Sequence, residues 1–140
     1  MAKEGEATAL RPEQRTRIWD VLQEVAVERE RQHARWGEQD CKDVVWARNA
    51  AAACAAYGLP DEATARAACQ EAFREGAGTC AHLLVEEVSE AIAAAHDGPA
   101  ALRKELVQVA AVATQWIEAI DRRLARAAVA AMEGGERGQE

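Results

Sequence analysis

The chain predicts an all-α fold of about five helices, and three observations carry that prediction. Alanine is abundant while aromatic residues make up only 4% of the 140 positions, a composition that favours closely packed helices over sheet. No segment reads as a strand. Proline, glycine and capping residues punctuate the chain at helix-length intervals, where start and stop signals belong. The length suits one domain with a real buried core.

The first helix opens near Pro12, which fits an opening turn because its missing N–H has no intrahelical partner there anyway. It runs to about Arg35 and ends at Trp36-Gly37, followed by a polar connection from Gly37 to Lys42. Asp43 reads as the N-cap of an alanine-rich helix that stops at Tyr57-Gly58. Pro60-Asp61 opens a third helix, to about Glu75, closed by Gly76-Ala77-Gly78. Thr79 caps a fourth, which ends near His96. After the break at Asp97-Gly98-Pro99 the last helix continues past Arg123 to about Met132. Residues 1–10 read as a flexible N-terminus, 11–132 as the helical domain, and the Gly-rich, charged stretch 133–140 as a disordered tail.

Composition narrows the function classes. A formal net charge of −7 argues against a nucleic-acid backbone as partner. It leaves small phosphorylated ligands open, because a bound metal inverts the local sign. The four cysteines, Cys41, Cys54, Cys69 and Cys80, form no C-x-x-C pair and lack zinc-site spacing. Met1 to Leu10 has no apolar core of a signal peptide, and no apolar run approaches the roughly 18 residues that span a bilayer. A cytoplasmic protein with free structural thiols is expected.

The acidic residues are the most informative. Glu86, Glu87 and Glu90 lie within two turns of the fourth helix, and Glu105 lies early in the fifth. Helices joined by a short connection run antiparallel, so the two acidic turns are expected to face each other. Like charges that close repel unless a cation or protons neutralise them, and hard oxygen ligands at that density suit Mg²⁺. The competing reading is a solvated face paired with Arg103 and Lys104. By helical phase, Leu84, Val88, Ala91, Ile92 and Ala95 form the apolar stripe of the fourth helix, with Glu86 and Glu90 nearly opposite. In the last helix Leu102, Leu106, Val109, Ala113, Trp116, Ile117, Ile120 and Leu124 form a long stripe, which implies extensive helix–helix contact. Glu105 lies at its edge. On the first helix the stripe of Ile18, Val21, Leu22 and Val25 continues into Arg29, Gln32, His33 and Trp36. That helix end either projects into water or lines a polar cavity, and the aromatic Trp36 favours the cavity. Trp19 and Trp116, with apolar neighbours, read as core or interface.

Together these residues resemble the MazG-like all-α nucleoside triphosphate pyrophosphohydrolases. Glu86-Glu87-Val88-Ser89-Glu90 matches the family's E-E-x-x-E, and Glu105 opens an E-x-x-D at the allowed spacing, with Gln108 where the family has aspartate. Glu28 to Gly37 resembles the E-R-x-x-Q-x-x-x-W-G stretch of many such sequences, and Glu105 to Val112 resembles a variant subgroup.

The resemblance implies hydrolysis of a (deoxy)nucleoside triphosphate to monophosphate and pyrophosphate, and a bundle completed as a homodimer or homotetramer. It implies Mg²⁺ or Mn²⁺ on Glu87, Glu90 and Glu105, with Glu86 a further ligand or a general base. Gln108 becomes a neutral ligand or a water holder. On the nucleotide side, Trp36 stacks on a base, Gln32 bonds its edge, and His33 or Arg29 meets phosphate. The alternative, kept open by Gln108, is a catalytically weakened module that binds a nucleotide or a protein.

Overall fold

The computed structural model describes residues 8–138, and every regular element among them is helical. In order they are α1 (Pro12–Trp36), α2 (Ala50–Ala56), α3 (Glu62–Arg74), α4 (Cys80–Ala94), a 3₁₀ turn (Ala95–Asp97) and α5 (Pro99–Arg137). None of the described helices is long and apolar enough to cross a membrane. The elements form two compact units, one of α1 with the part of α5 from Ile117 onward, the other Gln39–Trp116.

In the first unit α1 starts at Pro12, as expected, with the Gln14 side chain accepting the Arg11 N–H at 2.9 Å. It stops where Gly37 takes a positive φ of 69° and donates its N–H to the His33 carbonyl at 2.7 Å. Val21 is buried, and Ile18 and Leu22 are half-buried beside it. Trp19, expected in a core or interface, is 65% exposed in the single chain.

The second unit is built around α4, which packs against both α3 and α2. Small side chains make this possible, since the residues at a contact set how closely two helix axes approach. Ala53 and Cys54 of α2, Ala65 and Cys69 of α3, and Ser89, Ala91 and Ala93 of α4 are all buried. Cys54 Sγ donates to the Ser89 carbonyl at 3.4 Å. The buried surface of α4 therefore extends beyond the predicted stripe to Ser89 and Ala93. Two partners, rather than one, enclose it.

Asp61 and Thr79 cap α3 and α4 as predicted. Asp61 Oδ1 accepts the Thr64 N–H at 2.8 Å, and that bond, with the Thr64 hydroxyl, holds its carboxyl below the ordinary 3.8. Thr79 Oγ1 accepts the His82 N–H, while His82 Nδ1 accepts the Thr79 N–H at 3.2 Å. The start of α2 differs from expectation. Asn49, not Asp43, is the cap, its Oδ1 accepting the Ala52 N–H at 2.8 Å. Val44, Val45 and Trp46 follow Asp43, and such β-branched and aromatic side chains lose rotamer freedom in a helix. This irregular segment is tied down instead by its Val45 N–H, which donates to the Tyr57 hydroxyl at 2.7 Å.

Gly98 is the residue that joins α4 to α5. Its φ of 108° and ψ of 173° lie in a region essentially reserved for glycine. It lets the chain leave the 3₁₀ turn and re-enter a helix at once, its carbonyl accepting the Leu102 N–H at 3.1 Å. At its far end α5 runs to Arg137, so residues 133–137 are helical where a disordered tail was expected. The preceding run from Ala125 to Met132 is rich in alanine, the best helix former, and adding residues to an existing helix is far easier than nucleating one. Residues 1–7 of the expected flexible N-terminus, and 139–140 of the tail, lie outside the described residues.

Gly98→Ala is expected to destabilise the protein by about 1–3 kcal/mol, read as a lower urea midpoint with unchanged m-value. Unchanged stability would show that the turn tolerates a Cβ.

Candidate functional site

Along a straight helix two residues 15 positions apart are separated by about 22 Å. Glu90 and Glu105 are that far apart in sequence, yet their carboxylates meet. One oxygen from each of Glu87, Glu90 and Glu105 lies within 4.8 Å of the other two. Between them the chain changes direction at the turn that ends in Gly98. All three side chains are half-buried, so these charges are only partly screened by water.

Glu87 carries the clearest electrostatic signature. Its Oε2 is closed off from solvent and has no hydrogen-bond partner. Burial pushes its carboxyl above the ordinary 4.5, and the charges of Glu90, Glu86 and Glu105 push the same way, with Arg66 opposing them. A carboxylate so placed wants a proton or a cation.

Glu86 and Glu90 face α3 and not open water, their side chains only 19% and 18% exposed. Arg66 of α3 answers them. Its Nη2 sits 2.7 Å from Glu90 Oε1 and 2.9 Å from Glu62 Oε1, and its Nε lies 3.8 Å from Glu86 Oε1. Bonds to Glu90 and Glu62 hold its guanidinium firmly protonated. Burial, together with the Glu86 carboxylate beside it, pushes the Cys69 thiol up to about 11, which keeps it an uncharged packing group.

A cleft of about 360 Å³ adjoins the carboxylates, lined by Glu62 and Arg66 of α3, Glu90 of α4, Asp97, and Lys104 and Glu105 of α5. That volume lies at the small end of ligand pockets. The structure thus brings Glu86, Glu87, Glu90 and Glu105 into one acidic region. It gives the counter-charge to Arg66, where the solvated-face reading had looked to Arg103 and Lys104. Both of those side chains are exposed. Arg66 was legible only as the i+4 partner of Glu62; its reach to α4 depends on how α3 packs. Gln108, one turn beyond Glu105, is exposed.

Arg29, Gln32, His33 and Trp36 belong to the other unit. Arg29 Nη1 donates to Gln32 Oε1 at 2.5 Å, and the Arg35 guanidinium lies 5.2 Å from the centre of the Trp36 ring. Trp36 is 54% exposed, His33 and Arg29 are exposed, and Gln32 is half-buried. Of the two readings of this helix end, exposure fits projection into water better than enclosure. No family model matches the chain, and no curated protein or solved structure matches it either.

The raised carboxyl of Glu87 sets a pH dependence. A group that holds its proton more tightly when folded contributes stability that is complete below its unfolded pKa, here about 4.5. That contribution is lost as pH rises through the higher native value. Without divalent ions, the melting temperature should therefore carry a component that falls as pH climbs above 4.5. Glu87→Gln should abolish that component and raise the melting temperature at pH 7.5. A variant that melts lower than the wild type by calorimetry contradicts this account.

Proposed function

We propose that this protein is a MazG-like, metal-dependent nucleoside triphosphate pyrophosphohydrolase. The observation that carries the reading is the convergence of Glu87, Glu90 and Glu105, from two helices, on a region 4.8 Å across. The donor set fits a hard cation: carboxylate oxygens only, one of them buried and unpartnered. Glu87, Glu90 and Glu105 would hold Mg²⁺ or Mn²⁺, which when bound neutralises phosphate charge and acidifies a water.

The residues of the chain supply positioning, on which phosphoryl transfer mostly depends. Glu86 stands beside the convergent triplet and accepts the proton of the attacking water. That water adds at the α-phosphorus, the bond from this phosphorus to the α–β bridging oxygen breaks, and pyrophosphate leaves with that oxygen. Lys104, on the cleft wall, offsets phosphate charge. The resemblance by itself would give Trp36 the base, Gln32 the base edge, and Arg29 or His33 a phosphate. This nucleotide-side assignment rests on the pattern from Glu28 to Gly37.

The working form is a homodimer or homotetramer in the cytoplasm, with the helices completing a bundle. Support comes from α5, where Leu102 is buried but Leu106, Ile117, Ile120 and Leu124 are 36–64% exposed. A run of exposed large apolar side chains marks a surface that another protein surface covers. A second reading, a weakened nucleotide- or protein-binding module, is favoured by one observation. Gln108 stands where the resemblance places an aspartate after Glu105, and losing that acid weakens metal affinity.

A panel of dNTPs and NTPs with Mg²⁺ or Mn²⁺, read by pyrophosphate release, separates the two readings. Hydrolysis of at least one nucleotide is expected, with Glu90→Gln and Glu105→Gln each lowering kcat by about 100-fold or more. Silence across the panel with measurable nucleotide binding selects the module. Trp36→Ala should raise KM about tenfold with kcat little changed, the mark of lost ground-state binding. An unchanged KM removes Trp36 from the site.

A further inference from the structure

Among the described residues at this site, Arg66 is the strong cation that the hydrolytic scheme leaves without a task. It reaches from α3 to Glu90 at 2.7 Å and to Glu86 at 3.8 Å, while Glu62, one turn back on its own helix, holds it at 2.9 Å. Glu90 is also a member of the convergent triplet. The same carboxylate therefore faces two claims. A guanidinium on Glu90 and a divalent ion a few ångströms away repel each other, and the ion carries twice the charge at a ligand distance of about 2.1 Å. Arg66 has somewhere to go. Its side chain is 44% exposed and lines the 360 Å³ cleft, and Glu62 keeps it at the cleft mouth when Glu90 lets go. A planar guanidinium fork is also well matched to phosphate oxygens.

We propose that Arg66 is a tethered stand-in cation: it neutralises Glu90 in the metal-free protein, yields it to a divalent ion, and then pairs with phosphate oxygens of the nucleotide. This rests on the metal-dependent reading above. It goes further in making metal binding a competition with a residue of the chain. It also predicts a sign that a purely structural arginine does not. If Arg66 only braced the acidic turns, removing it would loosen the site and weaken metal binding. As a competitor, its removal tightens metal binding.

The test is calorimetric titration of Mn²⁺ alone into the wild type, Arg66→Gln and Arg66→Lys. Arg66→Gln is expected to bind Mn²⁺ about tenfold more tightly than the wild type, while Arg66→Lys, which keeps the charge, stays within about threefold of it. At saturating Mn²⁺, Arg66→Gln is expected to bind an α,β-methylene nucleotide analogue about tenfold more weakly. Mn²⁺ affinity that is unchanged or weaker in Arg66→Gln overturns the competition, and unchanged analogue affinity overturns the transfer to phosphate. A wild type that binds no Mn²⁺ sinks the metal-dependent reading itself, and this proposal with it. Side-chain NMR of the wild type gives a check that does not depend on a variant folding. Saturating Mg²⁺ should shift the Arg66 Nε–H resonance and free its guanidinium to rotate, and a resonance left unmoved overturns the proposal.

Discussion

The second unit is organised by a conflict between packing and charge on α4. This helix lies against α2 and α3 through alanine, serine and cysteine, so little of its surface is left for water. It also carries Glu86, Glu87 and Glu90, and the turn at Gly98 adds Glu105 from α5. Burial strengthens the repulsion among these carboxylates because fewer water molecules screen it. One arginine, Arg66, answers Glu90 and Glu86 from the neighbouring helix, and Glu87 keeps a buried oxygen without a partner. The folded chain thus holds a local excess of negative charge against its own electrostatics.

That excess gives the arrangement its chemical interest. Acidic residues on an exposed helix face spread apart, pair with lysine or arginine, and contribute little to stability. Here the backbone fixes them. Glu87 and Glu90 are separated by less than one turn of a packed helix, and Glu105 enters after a glycine whose conformation other residues avoid. Sites that favour the ionised, cation-bound form of a group over its free form often show this pattern of enforced proximity and partial burial. The small side chains at the α2, α3 and α4 contacts make it possible, since bulkier ones would hold the helices apart.

Much of the architecture was legible because its signals are local. Pro12, Asp61, Thr79 and Pro99 stand at or beside helix starts, and Gly37 and Gly98 at breaks, since caps and positive φ angles depend on a few neighbouring atoms. The error at Asp43 arose where a capping residue preceded side chains that resist helix, and Asn49 before an alanine run took its place. The error at the C-terminus was of the opposite kind. Glycines at 134 and 135 suggested an end, but a long helix already under way carries through them. Burial was less legible. Ser89 is wholly buried because two helices meet α4, and a single helical wheel sees only one.

The chain by itself determined the helices, their order and the spacing of its glutamates, since these follow from residue chemistry over a few turns. It determined that Glu86, Glu87 and Glu90 share one helix and that Glu105 follows one break later. Tertiary packing decided which acids converge, that Glu87 loses its access to water, and that Arg66 supplies the counter-charge. These are matters of distance between residues such as Arg66 and Glu90, 24 positions apart. No local preference encodes such a distance; it is fixed when small side chains let α2 and α3 close on α4.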